Sequence, residues 1–347
     1  MSNWLVIRSD RLPVSFRLNQ RTPTLLVVLG SLILAIMIVS IGYGEYPIPP
    51  LDVVKTMLGL ETGNADHAFI INTLRLPRVL VALLVGMALA IAGTITQGIL
   101  RNPLAAPGII GINAGAALAA VSLIIVFPSV PISLLPLAAF VGGFTVFTLI
   151  YLFAWNGGSS PIRLVLIGIG FSLMTAAITN ILTTFGNINS VSQALVWLTG
   201  SVYGRSWDEV KALLPWLLVC APIALIMARD LNILNLGDEI ARGAGTSLEW
   251  RRGILLGSSV ALAGASVATA GTIGFVGFIA PHIARRLVGP SHEGLLLTSA
   301  LTGGLLVTVA DLIGRSLFAP IELPCGLITS VIGAPYFLYL MIRQRKP

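Results

Sequence analysis

Phe275-Val276-Gly277-Phe278-Ile279-Ala280-Pro281-His282-Ile283-Ala284-Arg285-Arg286 is the stretch on which the reading of the fold turns. Its apolar part, Phe275 to Ala284, is too brief to cross a bilayer, which takes roughly 20 residues of helix. Yet Arg251 and Arg252 precede the neighbouring apolar run, and Arg285 and Arg286 follow this one. Arginine and lysine collect on the cytoplasmic side of membrane proteins, so keeping both pairs there requires the two runs to form a hairpin. The short run therefore counts as a crossing.

Outward from it, nine further apolar runs lie at about 25–43, 79–100, 108–127, 132–154, 164–185, 212–228, 254–272, 295–315 and 325–342. Ten crossings return the chain to the side on which it began. That suits the basic residues at both ends, Arg8, Arg11, Arg17 and Arg21 against Arg343, Arg345 and Lys346. The fold class is an all-α polytopic membrane protein with both termini cytoplasmic. Residues 1–24 form a cytoplasmic N-terminal segment, and 25–347 a single transmembrane domain whose longest cytoplasmic connection is 229–252.

Composition agrees: 56% of residues are hydrophobic and 10% charged, with a mean hydropathy of +0.93. No single soluble core hides that much apolar surface. The net charge of +7 is dispersed between apolar runs, which excludes a nucleic-acid patch and fits topology. The leader before Leu25 is too long for a signal peptide and no small-residue cleavage pattern follows, so the first run is a retained span. Cys220 and Cys325 have neither disulfide nor metal-ligand spacing.

About fifteen of the 21 Lys and Arg residues face the cytoplasm on this layout. The exceptions are Lys55, Arg75, Arg78, Arg205, Lys211 and Arg315, with Arg75 and Arg78 on one helix face. Glycines in 86–98 and 264–277 let helices approach closely. Ala88-Leu89-Ala90 before Gly108-Ile109-Ile110-Gly111, and Ala261-Leu262-Ala263 before Gly271-Thr272-Ile273-Gly274, hint at duplicated halves.

Five blocks then carry a resemblance: Leu74-Arg75-Leu76-Pro77-Arg78, Arg101-Asn102-Pro103-Leu104-Ala105-Ala106-Pro107-Gly108, Leu236-Gly237-Asp238-Glu239-Ile240-Ala241-Arg242-Gly243, Gly274 through His282, and Gly333-Ala334-Pro335. Together they resemble the FecCD or cobalamin-permease type of bacterial importer subunit, which takes up ferric siderophores, haem and cobalamin. The resemblance covers nearly everything beyond residue 45. It implies a ten-helix permease domain, cobalamin-permease-like, in the bacterial inner membrane. A second permease, the same or a related chain, two cytoplasmic ATPase subunits and an extracytoplasmic binding protein complete the importer. Ferric siderophore is the favoured cargo; haem and cobalamin stay open.

The chain has three lysines, Lys55, Lys211 and Lys346, and none closes a GxxxxGK[ST] phosphate loop. ATP therefore belongs to a partner chain, and no cofactor, metal or catalytic residue is expected here. The matching segment Leu236 to Gly243 implies the coupling helix that docks on the ATPase, and its residues read as a short capped helix with a glycine stop at Gly243 or Gly245. The resemblance makes Arg75, Arg78 and Arg315 acceptors for acidic residues of the binding protein, with headgroup anchoring as the plainer reading. It makes Asn102 and Leu104 gate residues, against a Pro-bounded turn. Pro161 and Ile162 stand where the family often has small hydroxyl residues, a departure at the second half of the gate. His282 reads as a structural hydrogen-bonding residue. Asp311, the one acid inside an apolar run, reads as the local ion-pair partner of Arg315. The rival function is a proton- or sodium-coupled secondary transporter with Asp311 as coupling acid. An intramembrane enzyme lacks HExxH, GxSxG or paired aspartates.

Overall fold

The computed structural model describes residues 4–8, 15–245, 247–317 and 319–343. Arg11, Arg345 and Lys346, used above for topology, lie outside them. A β-hairpin, β1 (Trp4–Arg8) against β2 (Ser15–Asn19), precedes the helices, with Trp4 opposite Asn19 and Arg8 opposite Ser15. The polar N-terminal segment held no sign of it, and it is the one exception to the helical class among the described residues.

The first span, α1 (Arg21–Gly42), begins four residues earlier than its apolar run. Two short helices, α2 (Pro50–Met57) and α3 (Ala65–Phe69), and one wide turn lead into α4 (Leu76–Leu100). The central helices are α5 (Ile112–Val126), α6 (Leu135–Ala154), α7 (Pro161–Phe185), the unforeseen α8 (Ile188–Leu198) and α9 (Trp207–Ile226). Then follow α10 (Ala228–Leu236), α11 (Asp238–Gly243), α12 (Leu248–Ala270), α13 (Val276–Val288), α14 (His292–Ser316) and α15 (Cys325–Arg343).

Local chemistry sets several of these boundaries. Proline occupies the first turns of α4, α6 and α7, where a missing N–H costs nothing. Ser206 and Glu209 form a capping box at the head of α9, and the Asn187 side chain caps α8. Arg101 closes α4 in the left-handed conformation, φ 51°.

Eight helices are long and apolar enough to cross a membrane. With the shorter apolar α5 and the brief α13 they occupy the ten apolar runs of the sequence, among the described residues. Thirteen residues of α13 span about 20 Å, against roughly 30 Å of hydrocarbon. The missing length is the non-helical segment 271–275. Thr272 Oγ1 donates to the Leu198 carbonyl, Ser201 N donates to the Ala270 carbonyl at 2.7 Å, and Phe275 packs against Gly333 of α15. Irregular backbone at membrane depth survives only when protein wraps it, and here the α8–α9 loop and α15 do so.

Helices α4, α12 and α14 form the buried centre, whereas α1, α7 and α15 are mostly exposed. Closest approach occurs at glycines. A Cβ on Gly93 would strike the Gly277 carbonyl of α13, and one on Gly86 would strike Gly303 of α14. One end of the bundle, the basic end, holds α11 with Arg251, Arg252, Arg285 and Arg286. The other holds Arg78 and Asp311.

Candidate functional site

At the basic end, Gly237 takes φ +129°, a conformation suited to glycine, and turns the chain from α10 into α11. The expected side-chain cap on α11 is absent because its N-cap position is Gly237, which has no side chain, and Asp238 is engaged elsewhere. Its Oδ1 accepts from Arg101 Nη2, at the end of α4, and from Arg252 Nη2 at 2.6 Å, near the start of α12. Arg101 Nε also donates to the Leu234 carbonyl at 3.1 Å. Arg252 is 1% exposed and reaches onward, donating through Nη1 to the Ser159 carbonyl. Ser159 Oγ donates to Glu249 at 2.6 Å, which ties in the α6–α7 connection. A buried guanidinium is tolerable only with such partners.

One face of α11 is thus fixed inward through Asp238 and the buried Ala241. The other is exposed, with Ile240 at 54% and Glu239, Arg242 and Gly243 beside it, and Leu236 at the end of α10 adjoins it, 65% exposed. Arg101 and Arg252 belong to this site and were not singled out for it in the sequence. Arg101 stood in a quoted block, and Arg252 served only as a topology marker.

Next to it, Asn102 Oδ1 accepts from Leu104 N at 2.9 Å, folding the turn after α4. Asn102 is exposed, while Leu104 packs with Phe278, Ile279 and Leu340. His282 is buried without a hydrogen-bond partner at Nε2. The bond expected of it is not made there; its ring packs edge-on to Tyr336, centroids 5.8 Å apart.

At the opposite end, the three arginines turn inward. Arg75 donates to the carbonyls of Ile41 and Tyr46, each at 2.7 Å, and Arg315 donates to those of Ser40 and Tyr43. Both therefore satisfy the free carbonyls where α1 ends. Arg78 grips Asp311 with Nε at 3.1 Å and Nη2 at 2.7 Å, while Nη1 donates to Glu322 at 2.8 Å. The Tyr203 ring lies 5.5 Å from its guanidinium carbon. Asp311 does face Arg315, at 3.8 Å, but its principal partner is Arg78, 233 residues away in sequence. A cavity of about 990 Å³ lies at this end, lined in part by Gln193, Trp197, Tyr203, Arg205 and Glu322. Among the described residues no group of three or more His, Cys, Asp or Glu converges as a metal site requires.

The profile of the FecCD transport family matches residues 32–343. YfhA of Bacillus subtilis (strain 168), a siderophore transport system permease protein by name, is 49% identical over 327 residues, 92% of this chain and 94% of its own. CbrC of Dickeya dadantii (strain 3937), named an achromobactin transport system permease protein, is 44% identical over 346 residues, 99% of this chain and 98% of its own. Among solved structures, a metal-chelate type ABC transporter in an inward-facing conformation superposes with a TM-score of 0.83 at 31% identity. That match covers 92% of this chain and 99% of the other.

Proposed function

We propose, from the premise that this chain belongs to the FecCD transport family, that it is the membrane-spanning permease subunit of a binding-protein-dependent ABC importer for ferric siderophores. The chain moves its cargo without bond chemistry, and a separate ATPase chain hydrolyses ATP. The similarity to YfhA, named for siderophore transport, supports the cargo class. The basic end faces the cytoplasm of a bacterial inner membrane, where α11 meets the ATPase. A second permease, identical or related, packs against the exposed apolar helices, and two ATPase subunits serve the pair.

The observation that carries this reading is the two-sided character of α11. Its inner side is bolted by Asp238 to Arg101 of α4 and Arg252 of α12. Its outer side offers Ile240, and Leu236 at the end of α10 adjoins it, both apolar and exposed, which is costly unless a partner covers them. A push on that face reaches α4 and α12 through charge-assisted hydrogen bonds, which suits a lever between nucleotide-driven closure and helix movement. Leu236, Gly237, Asp238, Glu239, Ile240, Ala241, Arg242 and Gly243 make up this lever. Asn102 and Leu104, in the adjoining turn, stand where the pathway would narrow inside.

The binding protein docks on the opposite rim around Arg75, Arg78 and Arg315. Arg75 and Arg315 shape that rim by holding the end of α1. Arg78 presents Nη1 to the surface, where Glu322 occupies it at present. Coupling to protons or sodium through Asp311 has no support: the acid is already engaged in ion pairs with Arg78 and Arg315.

The test is purification in mild detergent from native membranes, with Leu236→Asp and Ile240→Asp variants beside the wild type. The wild-type chain brings an ATPase and its activity; each variant loses most of both. An unchanged yield of ATPase in both variants, or uptake that a protonophore abolishes at constant ATP, overturns the reading.

A further inference from the structure

Helix α14 begins without a cap of its own, because Ser291 at its N-cap position makes no side-chain bond to the free amides of the first turn. The cap comes from α10. Asn232 Oδ1 accepts from the His292 backbone N–H at 3.0 Å and from His292 Nδ1 at 2.7 Å. Asn232 Nδ2 donates to Glu293 Oε2 at 2.9 Å, an oxygen that also accepts from Ser291 Oγ. His292 is 2% and Glu293 4% exposed. The imidazole carries its proton on Nδ1, and Nε2 faces Gly98 of α4, where an added Cβ would lie 2.8 Å away.

Only Gly237 separates α10 from α11. At its far end α14 holds Arg78 through Asp311, and along its length it is locked to α4 at Gly86 and Gly303. We infer that Asn232 is a positioning residue for transport, the joint through which the coupling segment carries α14. This rests on α11 being the ATPase-contacting helix. A displacement of α10 must drag the head of α14 or strip its cap in a buried site, where no water replaces the lost acceptor. A merely structural cap would stabilise α14 without responding to nucleotide.

Hydrogen exchange at residues 292–296, in the complex purified with its ATPase, separates the two. In the wild-type complex, ATP with vanadate changes exchange there severalfold. Asn232→Ala raises exchange there about tenfold without nucleotide, as loss of a helix cap does. It abolishes the response to nucleotide while ATP hydrolysis per complex continues. The double variant Asn232→Asp with Glu293→Gln exchanges donor and acceptor and restores the response; it carries the test should Asn232→Ala fail to assemble. A response that persists in Asn232→Ala, is missing from the wild type, or is missing from an assembled double variant overturns the inference. Failure of the underlying reading looks different: the ATPase then stays on the Ile240→Asp variant, whatever α14 does.

Discussion

Arg252 shows how one buried charge can organise an end of the molecule. It is almost without solvent, and Asp238, Glu249 and Ser159 converge on it from three segments. Asp238→Asn keeps the shape but removes the charge, and hydrogen bonds to charged groups contribute about 1.5–3 kcal/mol. We expect a loss of about that size in thermal unfolding of the detergent-solubilised chain, together with weaker retention of the ATPase. Asp311 is the counterpart at the other end. Asp311→Leu removes the acid that Arg78 and Arg315 share, leaving Arg78 with Glu322 and Arg315 with carbonyls alone, and breaking a buried ion pair costs on the order of 3–5 kcal/mol. Asp311→Asn, which keeps an acceptor for Arg78, is the milder change on the same unfolding measurement.

At the level of elements, α13 decides whether the bundle closes. It is short, and Gly93 and Gly277 bring its backbone against α4. Gly93→Leu drives a side chain into the Gly277 carbonyl, and overpacking of this kind costs about 1–3 kcal/mol or more. The unfolding midpoint should fall and the yield with it. Gly257, mid-helix in α12, has open space where a Cβ would go. Gly257→Ala should therefore hold or raise stability by about 0.5–1 kcal/mol, the helix-propensity difference. Equal damage from both substitutions would mean that close backbone approach is not what holds α13.

For the whole molecule, the division between buried α4, α12 and α14 and exposed α1, α7 and α15 separates a buried centre from apolar outer surfaces. Sidedness is the open geometric quantity at this scale. The native Cys220 and Cys325 are both buried. A cysteine at exposed Tyr203 should react with a membrane-impermeant maleimide in intact spheroplasts, and one at exposed Trp250 only after lysis. The reverse pattern would place the basic end outside and overturn the assignment of α11 to the ATPase side.

Apolar runs by themselves determined the helical class and the positions of the long apolar helices. Transfer into lipid is a local property that sums along a helix, so it can be read in chain order. The α11 segment was legible for the same reason, as a polar interval between apolar runs. Helix α8 and the β-hairpin were not, since neither is long or apolar enough to stand out. Only the tertiary structure decided which charge meets which: Asp311 keeps Arg315, four residues on, at 3.8 Å but adds a closer partner in Arg78 across the bundle, and Arg75 and Arg315 turned inward to the end of α1. It alone placed Arg101 and Arg252 on Asp238, and Asn232 at the head of α14. Ion pairs and caps act over a few ångströms in space, and their partners here lie between 14 and 275 residues apart in the chain, beyond the reach of any local pattern.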